Sequence, residues 1–379
     1  MTKPITYWLD WKAKLIKPSS EGLQVIPWAD IEKHPITVYC DQNTWPYLEI
    51  QEQEKQLITN EEKRTYQVGL ATIKELRGAT EANPEGLGTQ ALKKCWELCP
   101  NFVSEHPSHD KELFQALEGW VYPPRFENLQ SGTFKEVWGI DIKSCYGKIM
   151  RDYPLPYGNP EHLTNSNLIE QALQEGKTGF IGFYLTNYAI IKNNQIPFLP
   201  NSKGEINFQL KGRLLLHSRL FNTFCKKYKL RGKIIYNDFW IFKERKGDIN
   251  LFLDYCEELK KTDKKQGKML VNCFYGAVGK KEFRGYNYRA WTLAINHLAI
   301  LQTYYLYRQF QPEQVLAIRS DCIYIQGELP PKLNKELYYL KHYNLVSFRG
   351  KDDIFIHDVN ELKSFTSGKI REELIKELK

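Results

Sequence analysis

The sequence predicts an α+β fold built on an antiparallel β-sheet that carries acidic residues at the ends of its strands. An apolar run at 137–140 leads directly into Asp141, and two short strand-forming runs between 315 and 325 flank Asp321. The second pair of runs therefore predicts a β-hairpin with an acidic residue at its tip. Helix signals across 248–278 favour two consecutive helices joined by a tight break. The sheet and the helical hairpin together define the fold class.

Length and composition limit the class of protein. The chain has 379 residues, of which 42% are hydrophobic and 13% aromatic, so it can bury a sizeable core over two or three lobes and is not disordered. No apolar run approaches the roughly 18 residues of a membrane-spanning helix, and the N-terminus has no apolar signal segment. Eight irregularly spaced cysteines are typical of reduced thiols. We therefore expect a cytoplasmic protein without a membrane partner.

Positive charge is concentrated in one part of the chain. The net charge is +8, whereas residues 203–284 contain 20 Lys and Arg against 9 Asp and Glu, with Tyr, Phe and Trp between them. The rest of the chain is slightly acidic in sum. A basic segment interleaved with aromatic residues favours a polyanionic partner such as DNA or RNA, although a solvated lysine-rich surface has the same composition.

The first hundred residues give weaker signals than the rest of the chain. Strand-forming residues at 36–40 predict a strand, and the charged stretch 51–64 favours a helix. Helices are also predicted at 66–78 and 88–99, separated by a cluster of Gly, Asn and Pro. No motif indicates what residues 1–65 do.

The middle of the chain alternates strands and helices. A helix is expected to begin near Ser144, followed by a loop in the proline-rich string 153–158. Strands are predicted at 180–185 and 233–236, with a helix at about 214–228 between them.

Helix-start signals define the helical hairpin. Asp248 is predicted to cap a helix at 249–261. Asp263 followed by Gln266 resembles a capping box, which starts the second helix of the hairpin. A third long helix is expected at about 290–310.

Asp141 and Asp321 are the candidate catalytic residues and metal ligands. A strand ending in one carboxylate and a hairpin tip bearing the other can lie side by side in one sheet. Two nearby carboxylates repel each other as anions and attract divalent cations, and Mg²⁺ prefers such oxygen ligands. Either aspartate alone is more simply explained as an ordinary acid at a strand end or turn, so the prediction depends on the pair.

The second helix of the hairpin carries a line of functional side chains. Lys268, Asn272 and Tyr275 lie at i, i+4 and i+7 and therefore share one helix face. A cation, an amide and an aromatic ring in this order suit a triphosphate, a base pair and a sugar. Gly276 removes a side chain where another chain comes close. An amphipathic helix with Lys268 in solvent would have the same spacing.

These segments resemble the three catalytic motifs of family B DNA polymerases, D-x-x-S-L-Y-P, K-x-x-x-N-S-x-Y-G and Y-x-D-T-D-S. The matching residues here are Asp141, Ser144 and Tyr146 in the first motif, Lys268, Asn272, Tyr275 and Gly276 in the second, and Asp321 in the third. The string at 155–158 is similar to that of the protein-primed phage and plasmid branch. The resemblance covers about residues 90–330 and implies a right-hand polymerase fold with an antiparallel-sheet palm, helical-hairpin fingers and a reduced thumb.

The resemblance also implies roles for individual residues. Asp141 and Asp321 would hold two Mg²⁺ or Mn²⁺ ions, and Tyr146 would pack under the deoxyribose. The implied nucleotide-binding residues are Lys268, Tyr146, Asn272, Tyr275, Ser144, Lys261, Lys264 and Lys265, and the implied nucleic-acid contacts are Gly276, Lys280, Lys281 and Arg284. The implied partners are a DNA primer-template, dNTPs and a terminal protein or other replication partner, in the cytoplasm of a bacterial host.

Departures from the family pattern matter for activity. Arg319 replaces the first aspartate of the third motif, and an arginine beside a metal site would weaken cation binding or substitute partly for an ion. Asp41 follows a predicted strand but offers only one carboxylate, so the 3′–5′ exonuclease is expected to be absent. Only 44 residues separate Gly276 from Asp321, which leaves little room for the clamp-like insertion that supports processivity in protein-primed relatives.

The sequence therefore predicts a template-directed DNA polymerase without proofreading that is distributive. Two alternatives stay open, a catalytically silent polymerase relative that binds nucleic acid and a primase-like or template-independent nucleotidyltransferase. The expected division of the chain is an N-terminal extension at 1–65, a helical entry to the palm at 66–136, the palm with an insertion at 137–247, the fingers at 248–310, the catalytic hairpin at 311–330 and a reduced thumb at 331–379.

Overall fold

The structure is a computed structural model that describes residues 87–105, 115–117, 120–122, 125–200, 207–279, 288–350 and 353–359, together with backbone strands between residues 7 and 68 and at 361–363. The chain divides into two compact units, one of residues 1–86 with 369–373 and one of residues 87–368 with 374–379.

The first unit contains a six-stranded sheet. Its strands are β1 (Tyr7–Asp10), β2 (Leu15–Pro18), β3 (Ile26–Pro27), β4 (Val38–Asp41), β5 (Leu57–Asn60) and β6 (Lys63–Val68). The order across the sheet is β3-β2-β1-β4-β6-β5, and β4 pairs with β1 in parallel while the other pairs are antiparallel.

Sequence predictions for this unit are partly correct. The strand predicted at 36–40 corresponds to β4. The helix predicted at 51–64 is wrong where it meets β5 and β6, because Thr65, Tyr66 and Val68 favour an extended backbone that pairs with β4. The helix predicted at 66–78 begins inside β6, and its remaining residues lie outside the described part of the chain.

The second unit contains eight helices and twelve strands within its described residues. The helices are α1 (Leu87–Leu98), α2 (Pro100–Glu105), α3 (Cys145–Asp152), α4 (Ser166–Gln174), α5 (Ser218–Lys227), α6 (Asn250–Thr262), α7 (Lys264–Val278) and α8 (Arg289–Tyr307). The strands are β7 (Phe126–Asn128), β8 (Gly132–Ile142), β9 (Leu155–Leu163), β10 (Gly179–Ile191), β11 (Gln209–His217), β12 (Tyr228–Leu230), β13 (Ile234–Arg245), β14 (Val315–Arg319), β15 (Cys322–Gln326), β16 (Tyr338–Arg349), β17 (Asp353–Ile356) and β18 (Glu361–Lys363).

A seven-stranded antiparallel sheet, named the catalytic sheet below, carries both candidate catalytic carboxylates. Its order is β18-β17-β16-β8-β15-β14-β7, so β8 lies between the hairpin strand β15 and the long strand β16. The predicted strand before Asp141 and the predicted hairpin around Asp321 are both present. The strands after residue 337 join this same sheet, since β16 pairs with β8 along most of its length.

A second sheet is formed by β9 to β13. Its order is β11-β10-β13-β9, with β12 added beside the end of β10. The prediction of a loop at 153–158 is wrong from residue 155 onwards, because these residues open β9 and pair with β13. Pro156 is tolerated there because β9 is an edge strand, where a missing N–H removes no ladder bond on its open side.

Most helix predictions are correct and the exceptions have local causes. Helices α1, α6, α7 and α8 lie where they are predicted. Helix α5 begins at Ser218, later than expected, because the preceding leucines continue as the buried end of β11. Asp248 does not cap α6, since Ile249 occupies the N-cap and Asp248 pairs instead with Arg245. Asp263 does cap α7, and its Oδ1 accepts from the backbone N of Gln266 at 2.9 Å.

Helix α8 is the central element of the core. Most of its nineteen residues are buried, including the indole of Trp291 and the rings of Tyr304 and Tyr307. A helix that is apolar on all sides must be surrounded by protein, and α8 contacts α3 and α7 as well as strands β9 and β11 of the second sheet. It therefore ties the elements around the catalytic sheet to the second sheet. Within the described residues, no helix is long and apolar enough to cross a membrane.

A buried ion pair fixes the start of the catalytic sheet. The Arg125 guanidinium donates to Glu127 Oε1 at 2.7 Å and to the carbonyl of Pro197 at 2.9 Å, and both charged residues are only 6% exposed. The carbonyl of Arg125 in turn accepts from the backbone N of Ser320 at 2.6 Å, in the turn that carries Asp321. Arg125 therefore stabilises the turn of the β14–β15 hairpin.

We expect Glu127→Ala to lower the free energy of unfolding by about 3–5 kcal/mol, because it leaves the Arg125 charge buried without its carboxylate. Urea denaturation measures the change. The matched control is Glu258→Ala, which breaks the exposed Lys261–Glu258 pair and should cost less than about 1 kcal/mol. Equal small losses in the two variants would contradict this role for the buried pair.

Candidate active site

Backbone pairing brings Asp141 and Asp321 together. Asp141 is the penultimate residue of β8 and lies opposite Cys322, the first residue of β15. Asp321 directly precedes Cys322, and its carbonyl accepts from the backbone N of Ile142 at 3.1 Å. The two aspartates, 180 residues apart in the numbering, are therefore held at neighbouring strand ends by the sheet itself.

Two serines beside these aspartates have left-handed backbones. Ser320 has φ 57° in the turn between β14 and β15, and Ser144 has φ 49° at the N-cap of α3. Residues other than glycine adopt this conformation at a cost of about 1–3 kcal/mol. The surrounding sheet and helix impose it, and at Ser320 it forms the tight hairpin turn that presents Asp321.

A cavity of about 610 Å³ opens over the two carboxylates. It is bounded by the end of β8, the turn into α3, the helical hairpin α6–α7, the catalytic hairpin and strand β16. The lining residues are Gly139, Asp141, Ile142, Ser144, Cys145, Tyr146, Gly147, Lys260, Lys264, Lys268, Val271, Asn272, Ser320, Asp321, Cys322, Tyr324, Tyr339, Leu340, Lys341 and Tyr343. All three motif segments of the sequence therefore converge on one space.

The electrostatics of the cavity reflect the two close carboxylates. Burial and the neighbouring Asp141 charge raise the pKa of Asp321 from 3.8 to about 6, and Lys268 opposes this rise. The thiol of Cys145, which is buried beside both aspartates, has its pKa raised by burial and by their negative charge. Ionised carboxylates are thus destabilised here, which is the condition under which a bound cation is favourable.

The donor set fits a hard divalent cation. Asp141 and Asp321 supply carboxylate oxygens, and within the described residues no group of three or more His, Cys, Asp or Glu side chains could hold a metal ion. Mg²⁺ commonly binds through one or two carboxylates and completes its octahedron with water and substrate phosphates. Two carboxylates at the edge of an open cavity match that mode better than an all-protein metal cage.

Three lysines of the helical hairpin face the cavity. Lys264 and Lys268 lie on α7 as predicted, and Lys260 of α6 joins them. Lys260 Nζ donates to Ser144 Oγ at 3.3 Å and to Glu257 at 2.6 Å. Its neighbour Lys261 does not line the cavity and pairs with Glu258 at 2.6 Å on the surface.

Sequence reasoning missed Lys260 because it placed the cation one position too late on α6. One residue changes the direction of a helical side chain by about 100°. The side chain of Lys265 lies outside the described residues.

Aromatic stacking fixes the floor of the cavity. The rings of Tyr146 and Tyr275 stack with centroids 4.4 Å apart and 15° between their planes. Tyr146 hydrogen-bonds to Ser320, and burial raises its pKa to about 12. Tyr275 hydrogen-bonds to Asn296 of α8 and does not itself line the cavity. The first motif, the helical hairpin and the catalytic hairpin are therefore connected through two rings.

The remaining predicted residues are distributed around this floor. Asn272 lines the cavity and is exposed. Gly276 is exposed, and a Cβ added there would meet no described atom within 4 Å, so the space is open to a ligand. Lys280, Lys281 and Arg284 lie outside the described residues. Strand β16 contributes Tyr339, Lys341 and Tyr343, which sequence analysis did not consider because it assigned their region to a reduced thumb.

Arg319 is bonded to groups that do not line the cavity. Its side chain is buried, and its guanidinium donates to the carbonyl of Ile318 at 2.8 Å and to Asn128 Oδ1 at 2.5 Å. It is not among the described residues lining the cavity, and it does not contribute to the shifted pKa of Asp321. The expectation that Arg319 adds positive charge beside the cation site is therefore not supported, because its guanidinium is held by Asn128 of the neighbouring strand β7 instead of lining the cavity.

Comparison with known proteins assigns the fold. Residues 127–286 match the family model of DNA polymerase type B, organellar and viral. A search of curated protein sequences gives no match. The matched segment contains the first two sequence motifs, with Asp141, Tyr146, Lys268 and Tyr275.

Solved structures of Phi29 DNA polymerase share the architecture. The complex with primer-template DNA and incoming nucleotide substrates matches with a TM-score of 0.63 and 17% identity, covering 82% of this chain and 64% of that one. The binary complex with primer-template DNA gives 0.62 and 16% over 82% and 65%, and the complex with single-stranded DNA gives 0.61 and 15%. The fold is thus the right-hand polymerase fold, and the chain spans just under two thirds of the length of Phi29 DNA polymerase.

The raised pKa of Asp321 gives stability a defined pH dependence. A carboxyl whose pKa is higher in the folded protein than in the unfolded chain destabilises the fold once it ionises. In metal-free buffer, the contribution of Asp321 to wild-type stability should therefore fall by about 3 kcal/mol as the pH rises through the window from 3.8 to about 6, and should then level off. Asp321→Asn should lack this fall and be more stable than wild type at pH 7.5. Thermal unfolding in EDTA measures both proteins, and a variant less stable than wild type at pH 7.5 would contradict the shift.

Replacing Arg319 separates its structural contacts from any effect on the cation. We expect Arg319→Met to bind Mn²⁺ within about twofold of wild type while losing thermal stability, because Asn128 Oδ1 loses the guanidinium donor of Arg319. Calorimetric titration measures the affinity, with Asp141→Asn as the control that should lose binding at least about tenfold. A strong gain of Mn²⁺ affinity in Arg319→Met would show that the arginine does act on the site.

Proposed function

We propose that this protein is a template-directed DNA polymerase, because residues 127–286 match the family model of organellar and viral type B DNA polymerases and the chain has the right-hand polymerase fold. It transfers nucleotides from dNTPs to a 3′-hydroxyl or protein hydroxyl. The observation that supports this most directly is the cavity in which Asp141 and Asp321 face three lysines of the helical hairpin.

The carboxylates are proposed to hold two Mg²⁺ or Mn²⁺ ions. Bound there, the ions supply the positive charge that activates the attacking hydroxyl and neutralises the leaving pyrophosphate. Asp141 and Asp321 fix the position of that charge through the β8–β15 pairing. Burial and the neighbouring Asp141 charge, which raise the pKa of Asp321, disfavour two ionised carboxylates in the free site, and bound cations would offset this cost.

The lysines and tyrosines are proposed to position the nucleotide. Lys260, Lys264 and Lys268 bind the triphosphate, since charge-assisted contacts to phosphate are among the strongest hydrogen bonds available. Tyr146 packs under the deoxyribose, held in place by its stack on Tyr275. Positioning and electrostatic stabilisation account for most catalysis of phosphoryl transfer, so these residues complete the requirements of the reaction.

The nucleic-acid partners follow from the same cavity. Phi29 DNA polymerase has been solved with primer-template DNA, with nucleotides and with single-stranded DNA. We propose a primer-template duplex and dNTPs for this chain, and a terminal protein as a replication partner. A cytoplasmic location in a bacterial host is part of the proposal.

The catalytically silent alternative is favoured by the reduced thumb and by Arg319. The position of Arg319 outside the cavity lining removes that residue as a reason to expect weak cation binding. The primase-like or template-independent alternative uses the same two carboxylates. It differs from the template-directed polymerase only in not requiring a primer or a template.

Extension of a labelled primer on single-stranded DNA tests the proposed function. We expect templated extension by wild type with Mg²⁺ or Mn²⁺, and a loss of at least about 100-fold in Asp321→Asn, because one carboxylate of the cation site is gone. Lys260→Ala should raise the KM for dNTPs, whereas its matched control Lys261→Ala should not.

Two results would contradict the proposal. Intact DNA binding without extension under either metal would favour the silent relative. Extension without a template, one nucleotide at a time, would favour the primase-like enzyme.

The short segment between Gly276 and Asp321 supports a distributive enzyme. A long clamp-like insertion does not fit in 44 residues that already contain α8 and β14. We therefore propose short products per binding event and poor strand displacement. Long products from a nicked circle without accessory proteins would overturn this part of the proposal.

Proofreading is proposed to be absent, and a direct test is available. Asp10 and Asp41 end the paired parallel strands β1 and β4, an arrangement that sequence analysis did not consider. We expect no shortening of a 5′-labelled single strand in Mg²⁺. Shortening that is lost in Asp10→Asn but kept in Asp321→Asn would place an exonuclease in the N-terminal unit and contradict the expectation.

A further inference from the structure

Part of one face of the second sheet, around Tyr184 of β10, is exposed and lies outside the candidate active site. The opposite face packs against α5, and the buried rings of Phe183 on β10 and Phe221 on α5 lie 5.2 Å apart. On the outer face, Tyr184 and Ile235 are each 47% exposed. Large apolar side chains this exposed on adjacent strands are candidates for a binding surface.

The register places cations beside these exposed side chains. Tyr184 of β10 lies opposite Arg213 of β11 on one side and Ile235 of β13 on the other. Antiparallel partners point to the same face of a sheet, so Arg213, Tyr184 and Ile235 form one row across three strands.

A second row repeats the pattern nearby. Tyr188 lies opposite Lys211, whose Nζ is 5.9 Å from the centre of the tyrosine ring. On its other side the carbonyl of Tyr188 accepts from the backbone N of Arg231 at 2.9 Å, continuing the pairing of β10 with β12. We call the six residues of the two rows the outer face: Lys211, Arg213, Tyr184, Tyr188, Arg231 and Ile235.

The charge of this region is strongly positive. Residues 207–245 contain ten Lys and Arg against only Asp238 and Glu244. Glu244 is occupied by His217 and Arg219, and Asp238 is shared between Arg213 and His162. Within the described residues, Lys211 and Arg231 pair with no carboxylate. The outer face thus offers cations and aromatic rings without enough local anions to neutralise them.

We propose that the outer face binds single-stranded nucleic acid outside the catalytic cavity. Bases stack on Tyr184 and Tyr188, and Lys211 and Arg231 contact the phosphates. Exposed aromatic residues on a sheet, interleaved with cations, suit unpaired bases whose rings are free to stack, whereas a duplex hides them. The proposal rests on the proposed function only in assuming that the protein works on nucleic acid.

The proposal is tested by measuring the affinity for a labelled, unstructured 20-nucleotide oligothymidylate. Fluorescence anisotropy at several salt concentrations gives this affinity. The double variant Tyr184→Ala/Tyr188→Ala should bind at least about fivefold more weakly. The double variant Tyr184→Phe/Tyr188→Phe keeps the rings and should bind like wild type. Lys211→Ala/Arg231→Ala should reduce the slope of log affinity against log salt by about 1.4, as expected for two lost phosphate contacts.

The matched control is Lys177→Ala/Lys332→Ala, which removes two exposed lysines outside the outer face. It should change both the oligothymidylate affinity and the salt slope less than the outer-face variants do. Thermal unfolding confirms that the variants fold. Unchanged oligothymidylate binding in the alanine variants would overturn the proposal, as would an equal loss of affinity for a blunt duplex. Loss of binding to a protein partner alone, with normal DNA binding, would identify the face as a protein-docking surface instead.

Primer extension distinguishes this proposal from the proposed function. Outer-face variants should extend a short primer-template at the wild-type rate when DNA is saturating. If wild type shows no extension but still binds oligothymidylate through the two tyrosines, the polymerase assignment fails and the outer face stands. If extension is normal and the tyrosine variants bind normally, the outer face fails alone.

Discussion

The pairing of β8 with β15 is the interaction on which the site depends. It holds two carboxylates together that would otherwise repel each other, and it does so with backbone hydrogen bonds in a buried sheet rather than with attraction between the charges. The cost appears as the raised pKa of Asp321 and as a left-handed backbone at Ser320. A bound cation would offset the repulsion between the two carboxylates that the sheet holds together. The free protein therefore already has the arrangement that cation binding requires.

Helix α8 connects the β8–β15 pair to other elements of the second unit. The hydroxyl of Thr303 donates to the carbonyl of Ser320 at 3.2 Å, so the helix holds the catalytic turn directly. Asn296 bonds both the N–H and the carbonyl of Tyr122 at 3.0 Å and also contacts Tyr275. Because α8 also packs against the second sheet, the cavity floor, the turn and that sheet form one connected arrangement.

The sequence predicted site residues and helix ends best where the residue type and its spacing together indicate a specific role. Asp141, Lys268 and Asp321 could be predicted because paired carboxylates and a cation on a helix face point to metal-assisted chemistry, and the N-cap role of Asp263 follows from its spacing to Gln266. The position of Lys260 could not be predicted, since a one-residue error in helix phase exchanges it with Lys261. The burial of Arg319 was also hidden, because its partner Asn128 lies 191 residues away. Strand β16 was missed because its tyrosines and lysines carry no motif and gain a role only from pairing with β8.

The central claim is that Asp141 and Asp321 together form a divalent-cation site, and diffraction from crystals soaked in Mn²⁺ tests it most directly. Anomalous scattering locates manganese independently of any assumption about the ligands. We expect at least one strong anomalous peak within about 2.2 Å of oxygens from both carboxylates, close to the octahedral distances of a hard cation. Manganese bound elsewhere, or no peak between the two aspartates in crystals grown above pH 7, would contradict it.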